Sequence, residues 1–181
     1  MNLYLRLLRV LLSAILGRFR GSRAGREVMA ERRVTFRCWP HDLDSNLHMN
    51  NGRFLTLMDL GRLDLVFRAG FIGGMRRHGW MAVIGGALIR YRRSIAPFER
   101  FHLTSRLIGW DDRWFYIRQR FERPDGTLIA VALVRGAFRD RSGAVATPTV
   151  MTAFGMPATS PPLPDAVAHF AASDAALDEI G

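Results

Sequence analysis

The sequence predicts an α+β fold in which a curved antiparallel sheet wraps around one long central helix. Residues 51–69 have helical apolar spacing, yet this helix is apolar on nearly every side, which is typical of a helix buried on nearly every side. From residue 81 onward, apolar segments alternate with turn signals, which indicates consecutive strands. Because a helix buried all round needs a large apolar surface around it, a curved sheet is the most economical partner.

The composition favours one folded domain with modest extensions. The chain has 181 residues, of which 49% are hydrophobic and 23% charged. All 26 basic residues are arginine, and the net charge of +10 favours anionic neighbours such as phosphorylated carriers, acidic proteins or anionic lipid. The arginines are scattered and no nucleic-acid-binding motif accompanies them, so we predict no nucleic-acid partner.

Disulfide and metal chemistry are not expected. The single cysteine, Cys38, excludes an intrachain disulfide and alternates with Val34 and Phe36, which predicts a buried apolar role. A lone cysteine also fits a reducing, cytoplasmic compartment. The five histidines show no metal-ligand spacing. We therefore predict no metal and no cofactor.

Residues 2–20 predict an amphipathic helix. The longest uncharged run, residues 10–17, is far shorter than the roughly 20 residues that span a bilayer. We therefore expect the helix to lie in the membrane interface and to attach the protein peripherally to a membrane surface. A helix packed on the protein's own core, a helix packed on a partner, and a targeting peptide are the alternatives. The polar residues recur every three or four positions, at Asn2, Arg6, Arg9, Ser13, Gly17 and Arg20.

The elements between the two ends follow in order. A first strand is expected at residues 33–39, where polar and apolar residues alternate, and Pro40 ends it. A polar loop then leads to Asn50, the expected N-cap of the central helix, which Gly70 ends. The later strands are expected at residues 81–95, 98–108, 114–122 and 128–139, with a bend at Gly85–Gly86 and a hairpin between the second and third of them.

This order of elements is that of the hotdog fold. It divides the chain into an N-terminal helix and Gly- and Arg-rich linker at residues 1–27, one domain at residues 28–150, and a proline-rich tail at residues 151–181 with a short helix over 165–180. The open edges of such a sheet are usually paired between subunits, so we expect a homodimer or a dimer of dimers.

One stretch, residues 40–62, gathers more groups able to do chemistry than any other. It supplies Asp42, Asp44, Asn46 and His48 immediately before the N-terminus of the central helix. A polar loop that delivers an acid, an amide and an imidazole to the start of a buried helix is a common way to build an active site.

The run DLDSNLHMNNGRFLTLMDLGR at residues 42–62 resembles the signature of hotdog-fold acyl thioesterases of the 4-hydroxybenzoyl-CoA thioesterase-like kind. It is particularly similar to the run in plant acyl-ACP thioesterases, which reads Asp-Leu-Asp, any residue, Asn, any residue, His and then Asn-Asn. With YRRS at 91–94 and GWDDR at 109–113, the sequence also resembles the thioesterase superfamily member six group. The resemblance covers roughly residues 30–140. It implies a hotdog fold and hydrolysis of acyl-CoA or acyl-ACP in lipid metabolism.

The resemblance also implies site residues. It places the catalytic carboxylate of single-domain hotdog thioesterases on Asp44, and the Asn and His of the plant enzymes on Asn46 and His48. Two positions depart from the plant pattern, because Ser94 and Ile95 stand where those enzymes carry an acid and a Cys. The plant enzymes also hold two hotdog repeats in one chain, whereas this chain has one and must dimerise to match them.

These residue types can support thioester hydrolysis. Asp44 can act as a general base through water, or attack directly to form an anhydride. His48 can share the proton transfer near neutral pH, and Asn46 can orient the water. The helix start at Asn51–Gly52 offers backbone N–H groups and the positive end of the helix dipole to the thioester oxygen.

A structural interpretation competes with each assignment. Asp42 and Asp44 are also typical of Asx turns, in which the carboxylate binds nearby backbone N–H groups. We expect Asp42 and Asn50 to be structural. Asn46 and His48 can equally satisfy polar groups of the loop backbone.

Further candidates are expected on the substrate side. Asp59 and Arg62 lie three residues apart on the helix and can pair. Asp59 is also a substrate-binding candidate, because the resemblance includes hotdog thioesterases that carry their acid on this helix. Arg92 and Arg93 can meet the phosphates of CoA or of a carrier's pantetheine arm, with a solvated strand face as the alternative.

The sequence thus predicts an acyl thioesterase held at a membrane surface. The alternative function is a membrane-associated hotdog protein that binds acyl groups or partner proteins without hydrolysing them. A hotdog dehydratase or hydratase is disfavoured, because a His preceding a buried Gly and Pro is absent from the helix.

Overall fold

The computed structural model describes residues 3–19, 29–177 and 179. A short 3₁₀ turn at Pro40–Asp42 precedes the central helix. The helices are α1 (Leu3–Phe19), α2 (Asn51–Arg68), α3 (Phe71–His78), α4 (Thr147–Ala153) and α5 (Asp165–Leu177). The strands are β1 (Arg32–Arg37), β2 (Met81–Tyr91), β3 (Arg100–Trp110), β4 (Phe115–Glu122), β5 (Leu128–Asp140) and β6 (Gly143–Val145).

The strands form one antiparallel sheet that curls around α2. Its order is β1-β3-β4-β5-β2, with β6 paired to the end of β5. Register shifts in β2 after Ile84 and in β3 after Leu107 interrupt the ladder, and such bulges strengthen the local twist. The central helix buries residues on most of its circumference, namely Phe54, Leu57, Met58, Leu60, Gly61, Asp64 and Leu65. The predicted hotdog fold is confirmed.

Two glycine positions fix how closely the layers approach. A Cβ atom on Gly61 would lie 2.7 Å from Ser105 Oγ and 2.8 Å from Leu103 Cδ2, so α2 lies directly against β3. A Cβ atom on Gly85 would lie 2.3 Å from the Trp114 ring, and the register of β2 shifts at this residue, where the sequence predicts a bend.

Some elements differ from the prediction. Strand β2 ends at Tyr91 rather than at residue 95, because the N–H groups of Arg92 and Arg93 both donate to Ile129 O and take the chain out of the ladder. Helix α3 was not predicted, and the left-handed residues Gly70 and Gly79 bound it. Strand β6 and helix α4 were not predicted either. Residues 20–27 of the predicted linker lie outside the described residues.

Helix α1 packs against the domain with a face that carries the buried Arg6, Val10 and Ala14. Arg6 is 3% exposed and its Nη1 donates to Asp42 Oδ1 at 3.0 Å, in an ion pair with a carboxylate that is 1% exposed. Ser13 Oγ accepts from Arg68 Nη2 at 2.8 Å. The exposed side is apolar and carries Tyr4, Leu5, Leu8, Leu12, Ile15 and Leu16. The helix therefore packs on the protein's own core through one face, and its opposite apolar face stays exposed.

One edge strand of the sheet is covered by a helix and the other is exposed. On the outer side of β1, Arg6 Nη2 donates to Arg37 O at 3.0 Å and Arg9 Nη2 to Thr35 O at 3.2 Å, so α1 covers this edge. At the opposite edge, β2 pairs only with β5 among the described strands. Its side chains are mostly exposed, including Met81 and Leu88. None of the described helices is both long and apolar enough to cross a membrane.

Candidate active site

The loop between β1 and α2 is held in shape by its own backbone. Asp44 N donates to His48 O at 2.9 Å, and Leu43 and Met49 form an isolated bridge. Leu47 at the tip has a φ of 58°, an uncommon left-handed conformation for a leucine. Met49 N donates to Ile95 O at 2.9 Å, which joins the loop to the segment after β2. The loop is therefore a closed unit at the N-terminus of α2.

Asp44 lies half-buried in this loop with one oxygen engaged. Its Oδ1 accepts from Asn46 N at 2.8 Å and from His48 N at 3.4 Å. This is the Asx-turn geometry that the structural interpretation predicts. Its Oδ2 accepts no hydrogen bond within the described parts of the chain. The turn thus orients the carboxylate and leaves one oxygen for a water.

Asn46 and His48 meet Asp44 through their backbones. Both side chains are exposed, and neither bonds to the Asp44 carboxylate among the described residues. The structure therefore brings the three predicted catalytic residues into one turn without linking their side chains.

The start of α2 offers fewer donors than the sequence implies. Asn50 Oδ1 accepts from Gly52 N at 2.8 Å, so Asn50 is the N-cap as predicted and the Gly52 N–H is already used. Arg53 N donates to Asn50 O at 2.9 Å. Of the predicted pair, only the Asn51 N–H has no recorded partner among the described residues. The oxyanion donor expected at Asn51–Gly52 is thus reduced to Asn51.

The segment after β2 lies beside this loop. Tyr91 Oη donates to Asn51 O at 3.2 Å, and the Tyr91 ring packs edge-on against Phe54 with centroids 5.0 Å apart. Arg92 and Arg93 are exposed and remain candidates for phosphate contact. Ile95 is fully buried, so the position at which the plant enzymes carry a Cys belongs here to the core.

Asp59 and Arg62 form the predicted ion pair, and it extends into the core. Arg62 Nη2 donates to Asp59, and Arg62 Nη1 donates to Gln119 Oε1 at 2.7 Å. Gln119 is fully buried and donates to Ser105 Oγ at 2.8 Å and to Met58 O at 3.0 Å. Burial lowers the pKa of Arg62, and the Asp59 charge opposes that shift.

An apolar cavity of about 350 Å³ opens beside this ion pair. Leu63 and Val66 of α2, Met75 of α3, Ile84 of β2 and Ile117 of β4 line it together with Asp59 and Arg62. Asp44, Asn46 and His48 do not line it. At a rise of 1.5 Å per residue, Asp59 lies about 12 Å along α2 from Asn51. The polar loop and the apolar cavity are thus two regions joined by one face of the helix.

Sequence reasoning missed Ser105, Gln119 and the contact of Tyr91 with the helix start. Ser105 and Gln119 face α2 from two different strands, and the alternation within one strand cannot show that two polar inward residues will meet. The feature in the sequence that could have indicated Ser105 and Gln119 is a polar residue at an inward-facing position of each strand.

The clustering of potential metal ligands and the environment of Cys38 can be read from the described residues. No group of three or more His, Cys, Asp or Glu side chains there could hold a metal ion. Cys38 is buried, and this burial, followed by the Asp42 charge, raises the pKa of its thiol to about 11. A thiol with that pKa stays protonated at neutral pH and is a poor nucleophile.

Comparisons with known proteins agree with this architecture. Protein THEM6 of Danio rerio is 41% identical over 111 residues, which are 61% of this chain and 55% of that protein. The chain therefore spans about half the length of the curated relatives it matches.

Solved structures share the fold at low sequence identity. The YbaW probable thioesterase from Escherichia coli superposes with a TM-score of 0.63 at 22% identity, covering 67% of this chain and 97% of that one. The DHNA-CoA thioesterase from Staphylococcus aureus gives a TM-score of 0.60 at 14% identity, covering 69% of this chain and 89% of that one. The family model of the thioesterase-like superfamily matches residues 38–170, most of the chain. The chain belongs to the thioesterase-like superfamily.

Proposed function

We propose that the protein hydrolyses acyl thioesters of CoA or of acyl carrier protein, with Asp44 as the general base. The observation that carries the proposal is the Asp44 carboxylate, which two backbone N–H groups orient at the N-terminus of the buried central helix. Membership of the thioesterase-like superfamily supports the reaction class, and the DHNA-CoA thioesterase among the structural relatives supports a CoA ester.

The reaction begins with water bound at Asp44 Oδ2. The water oxygen attacks the thioester carbonyl while Asp44 takes its proton, and the carbonyl electron pair moves onto oxygen. The Asn51 N–H and the positive end of the α2 dipole stabilise that oxyanion, and one such donor is commonly worth about 10² to 10³ in rate. The tetrahedral intermediate then collapses, the C–S bond breaks, and Asp44 returns the proton to the departing thiolate. His48 and Asn46 assist the proton transfer and the placement of water from the same turn.

The acyl group extends from the loop along α2. Leu55, Asp59, Leu63 and Val66 follow one another at helical spacing and form one face of the helix. This face leads from the helix start to the apolar cavity of about 350 Å³. Since the cavity is lined mostly by aliphatic and aromatic side chains, its chemistry fits an apolar acyl tail.

A panel of purified acyl-CoA and acyl-ACP thioesters tests the function. We expect thiol release with at least one of them, and abolition of that release by Asp44→Asn. Asp140→Asn is the matched control, because Asp140 Oδ1 accepts the backbone N–H groups of Ser142 and Gly143 in the turn after β5, at the opposite end of that strand from Ile129, which binds Arg92 and Arg93. Full activity of Asp44→Asn would overturn the assignment of the base.

A second function is favoured by one observation, the lack of a side-chain partner for Asp44 among the residues that the structure describes. The protein then binds acyl groups or partner proteins in the same cavity without hydrolysis. Saturable binding of a fluorescent fatty acid, together with no thiol release from any thioester of the panel, would select this function.

We also propose that the protein forms a homodimer through β2. This strand is the open edge of the main sheet among the described strands, and its side chains Met81, Ile84 and Leu88 are 60%, 47% and 50% exposed. A second β2 strand would satisfy the open backbone groups and cover these side chains. Light scattering after size exclusion should give twice the chain mass, and Leu88→Lys should give monomer. A wild-type monomer at micromolar concentration would contradict this proposal.

Attachment to a membrane surface through α1 is the remaining part of the proposal. The outward side chains Leu5, Leu8, Leu12 and Leu16 are between 51% and 65% exposed and form one apolar stripe. Deleting α1 would expose core residues to solvent and would leave the buried Asp42 without its partner Arg6. Substitution of outward side chains is therefore the better test. Leu8→Asp with Leu12→Asp should abolish flotation of the full chain with vesicles, and unchanged flotation would contradict the attachment.

A further inference from the structure

A basic notch lies between α1 and the edge of the sheet. Besides Arg6, its lining residues include Arg9, Arg37 and Arg100, together with Trp39 and Thr35, and its volume is about 350 Å³. Arg9 comes from α1, Arg37 ends β1, and Arg100 begins β3. Three arginines from three elements therefore converge on one concave site, which we call the arginine notch.

The charges of this notch are not balanced within the described residues. Arg37 and Arg100 stand directly opposite each other in the β1–β3 register, and like charges in that position are destabilising. Neither of them, nor Arg9, forms an ion pair with a described acid. Most arginines that lie against the core are paired, as Arg62 is with Asp59 and Arg135 with Asp174. Arg9 and Arg100 are exposed and Arg37 is half-buried, so the cluster is open to an anion that would offset the repulsion between its charges.

Arg6 adds a second, independent observation. It lines the same notch, is 3% exposed, and uses its terminal nitrogens for Asp42 and for Arg37 O. Its Nε is buried and has no hydrogen-bond partner among the described residues. A buried N–H donor without an acceptor is expensive. The notch therefore combines excess positive charge with a buried, unpartnered N–H in its wall, which an oxyanion reaches only if the Arg6 side chain shifts.

We propose that the arginine notch binds the phosphate group of an anionic phospholipid. Planar guanidinium groups donate in parallel pairs to phosphate oxygens, and several of them around one concave site give both affinity and orientation. This inference rests on the membrane attachment proposed above and adds to it a specific headgroup site.

The position of the notch selects the lipid as the source of the phosphate. Arg9 lines the notch and also the shallow groove along the outward side of α1, where Leu5, Leu8 and Leu12 are exposed. A phosphate held at Arg9, Arg37 and Arg100 thus has an apolar surface beside it for the acyl tails of the same lipid. The phosphates of CoA share the headgroup chemistry, but the acyl chain of an acyl-CoA is assigned to the cavity beside Asp59 and not to this apolar stripe.

The test compares two double variants of the full chain that remove the same charge. The notch variant, Arg37→Gln with Arg100→Gln, removes two guanidinium groups from the arginine notch. The control, Arg106→Gln with Arg141→Gln, removes two exposed arginines elsewhere. Each is sedimented with vesicles of neutral phosphatidylcholine alone and with phosphatidylglycerol added. We expect the notch variant to lose at least about tenfold in partition onto the anionic vesicles, and the control less than about threefold. Circular dichroism and the melting temperature establish that both variants are folded.

Three outcomes would overturn the inference. Equal losses in the two variants would show only a diffuse effect of net charge. Unchanged partition of the notch variant would remove the headgroup site while leaving attachment through Leu8 and Leu12 intact. Saturable binding of adenosine 3′,5′-bisphosphate that needs Arg37 and Arg100, with equal vesicle partition, would assign the notch to a soluble phosphate ester. Thioester hydrolysis is measured separately, so its failure does not affect these results.

Discussion

Asp42 and Asp44 are two residues apart in one Asp-Leu-Asp sequence, yet the structure gives them opposite environments. Asp42 is 1% exposed and is bound by Arg6 and by Trp39 N at 2.8 Å. Asp44 is half-buried and, within the described ranges of the chain, is bound only by backbone N–H groups of its own loop. A carboxylate that is paired with a buried guanidinium holds α1 against the domain, whereas a carboxylate that is only oriented by a turn remains available to water. The comparison teaches that the partners of an acid, and not its place in a motif, decide its role.

The largest expected effect separates the two residues by activity. Asp44→Asn should lower kcat by at least about 10³, because the amide cannot take a proton from water while it still accepts the Asn46 N–H. The melting temperature should stay within a few degrees of wild type, since the turn is kept. Steady-state kinetics on the thioester that the panel identifies, beside a melting curve, is the measurement. A large loss of stability would make Asp44 a structural residue like Asp42.

The second prediction concerns stability at the other carboxylate. Asp42→Asn leaves the buried Arg6 guanidinium without its counter-charge and should lower the free energy of unfolding by about 3–5 kcal/mol. Activity per folded molecule should fall much less than in Asp44→Asn. Urea unfolding followed by tryptophan fluorescence gives the free energy. If Asp42→Asn unfolds at the wild-type urea concentration, the Arg6–Asp42 pair does not tie α1 to the domain.

The pair itself can be isolated by a double-mutant cycle. Arg6→Met alone should destabilise, because it leaves the buried Asp42 with only the more distant Arg53 Nε, at 3.7 Å, as a cationic partner and releases Arg37 O. Arg6→Met with Asp42→Asn should cost less than the sum of the single changes, with a coupling of about 1–3 kcal/mol. The same urea experiment supplies all four free energies. Additive effects would mean that Arg6 contributes through packing alone.

The fold could be predicted because its main signal is local. The central helix is apolar almost all round, its cap Asn50 is a short-range feature, and Asp59 and Arg62 pair within one helical turn. The orientation of α1 could not be predicted, because Arg6, one residue of the polar stripe that suggests a surface helix, pairs with Asp42, which lies 36 residues away in sequence. An arginine on a helix looks the same in sequence whether it meets a lipid headgroup or a buried carboxylate.

The candidate site could be predicted only in part, for a related reason. The Asx turn at Asp44 depends on residues within four positions, so its residue types are visible in sequence. The cavity is built from α2, α3, β2 and β4, and the link from Arg62 to Gln119 spans 57 residues. Such contacts depend on strand order and register, which no short segment specifies.

The smallest predicted effect tests whether the helix start is scaffold for Asp44 or part of the chemistry. Asn50→Ala removes the acceptor for the Gly52 N–H and should cost about 1 kcal/mol of stability, as the loss of an N-cap usually does. It also leaves a second backbone N–H beside that of Asn51, so an oxyanion formed there would meet two donors instead of one. If the Asn51 N–H binds the oxyanion, the added donor should therefore keep kcat at or above the wild-type value. Parallel measurement of kcat and of the urea midpoint distinguishes the cases. A fall in kcat as large as that of Asp44→Asn would mean that the Asn50 side chain takes part in catalysis and is not only the N-cap of α2.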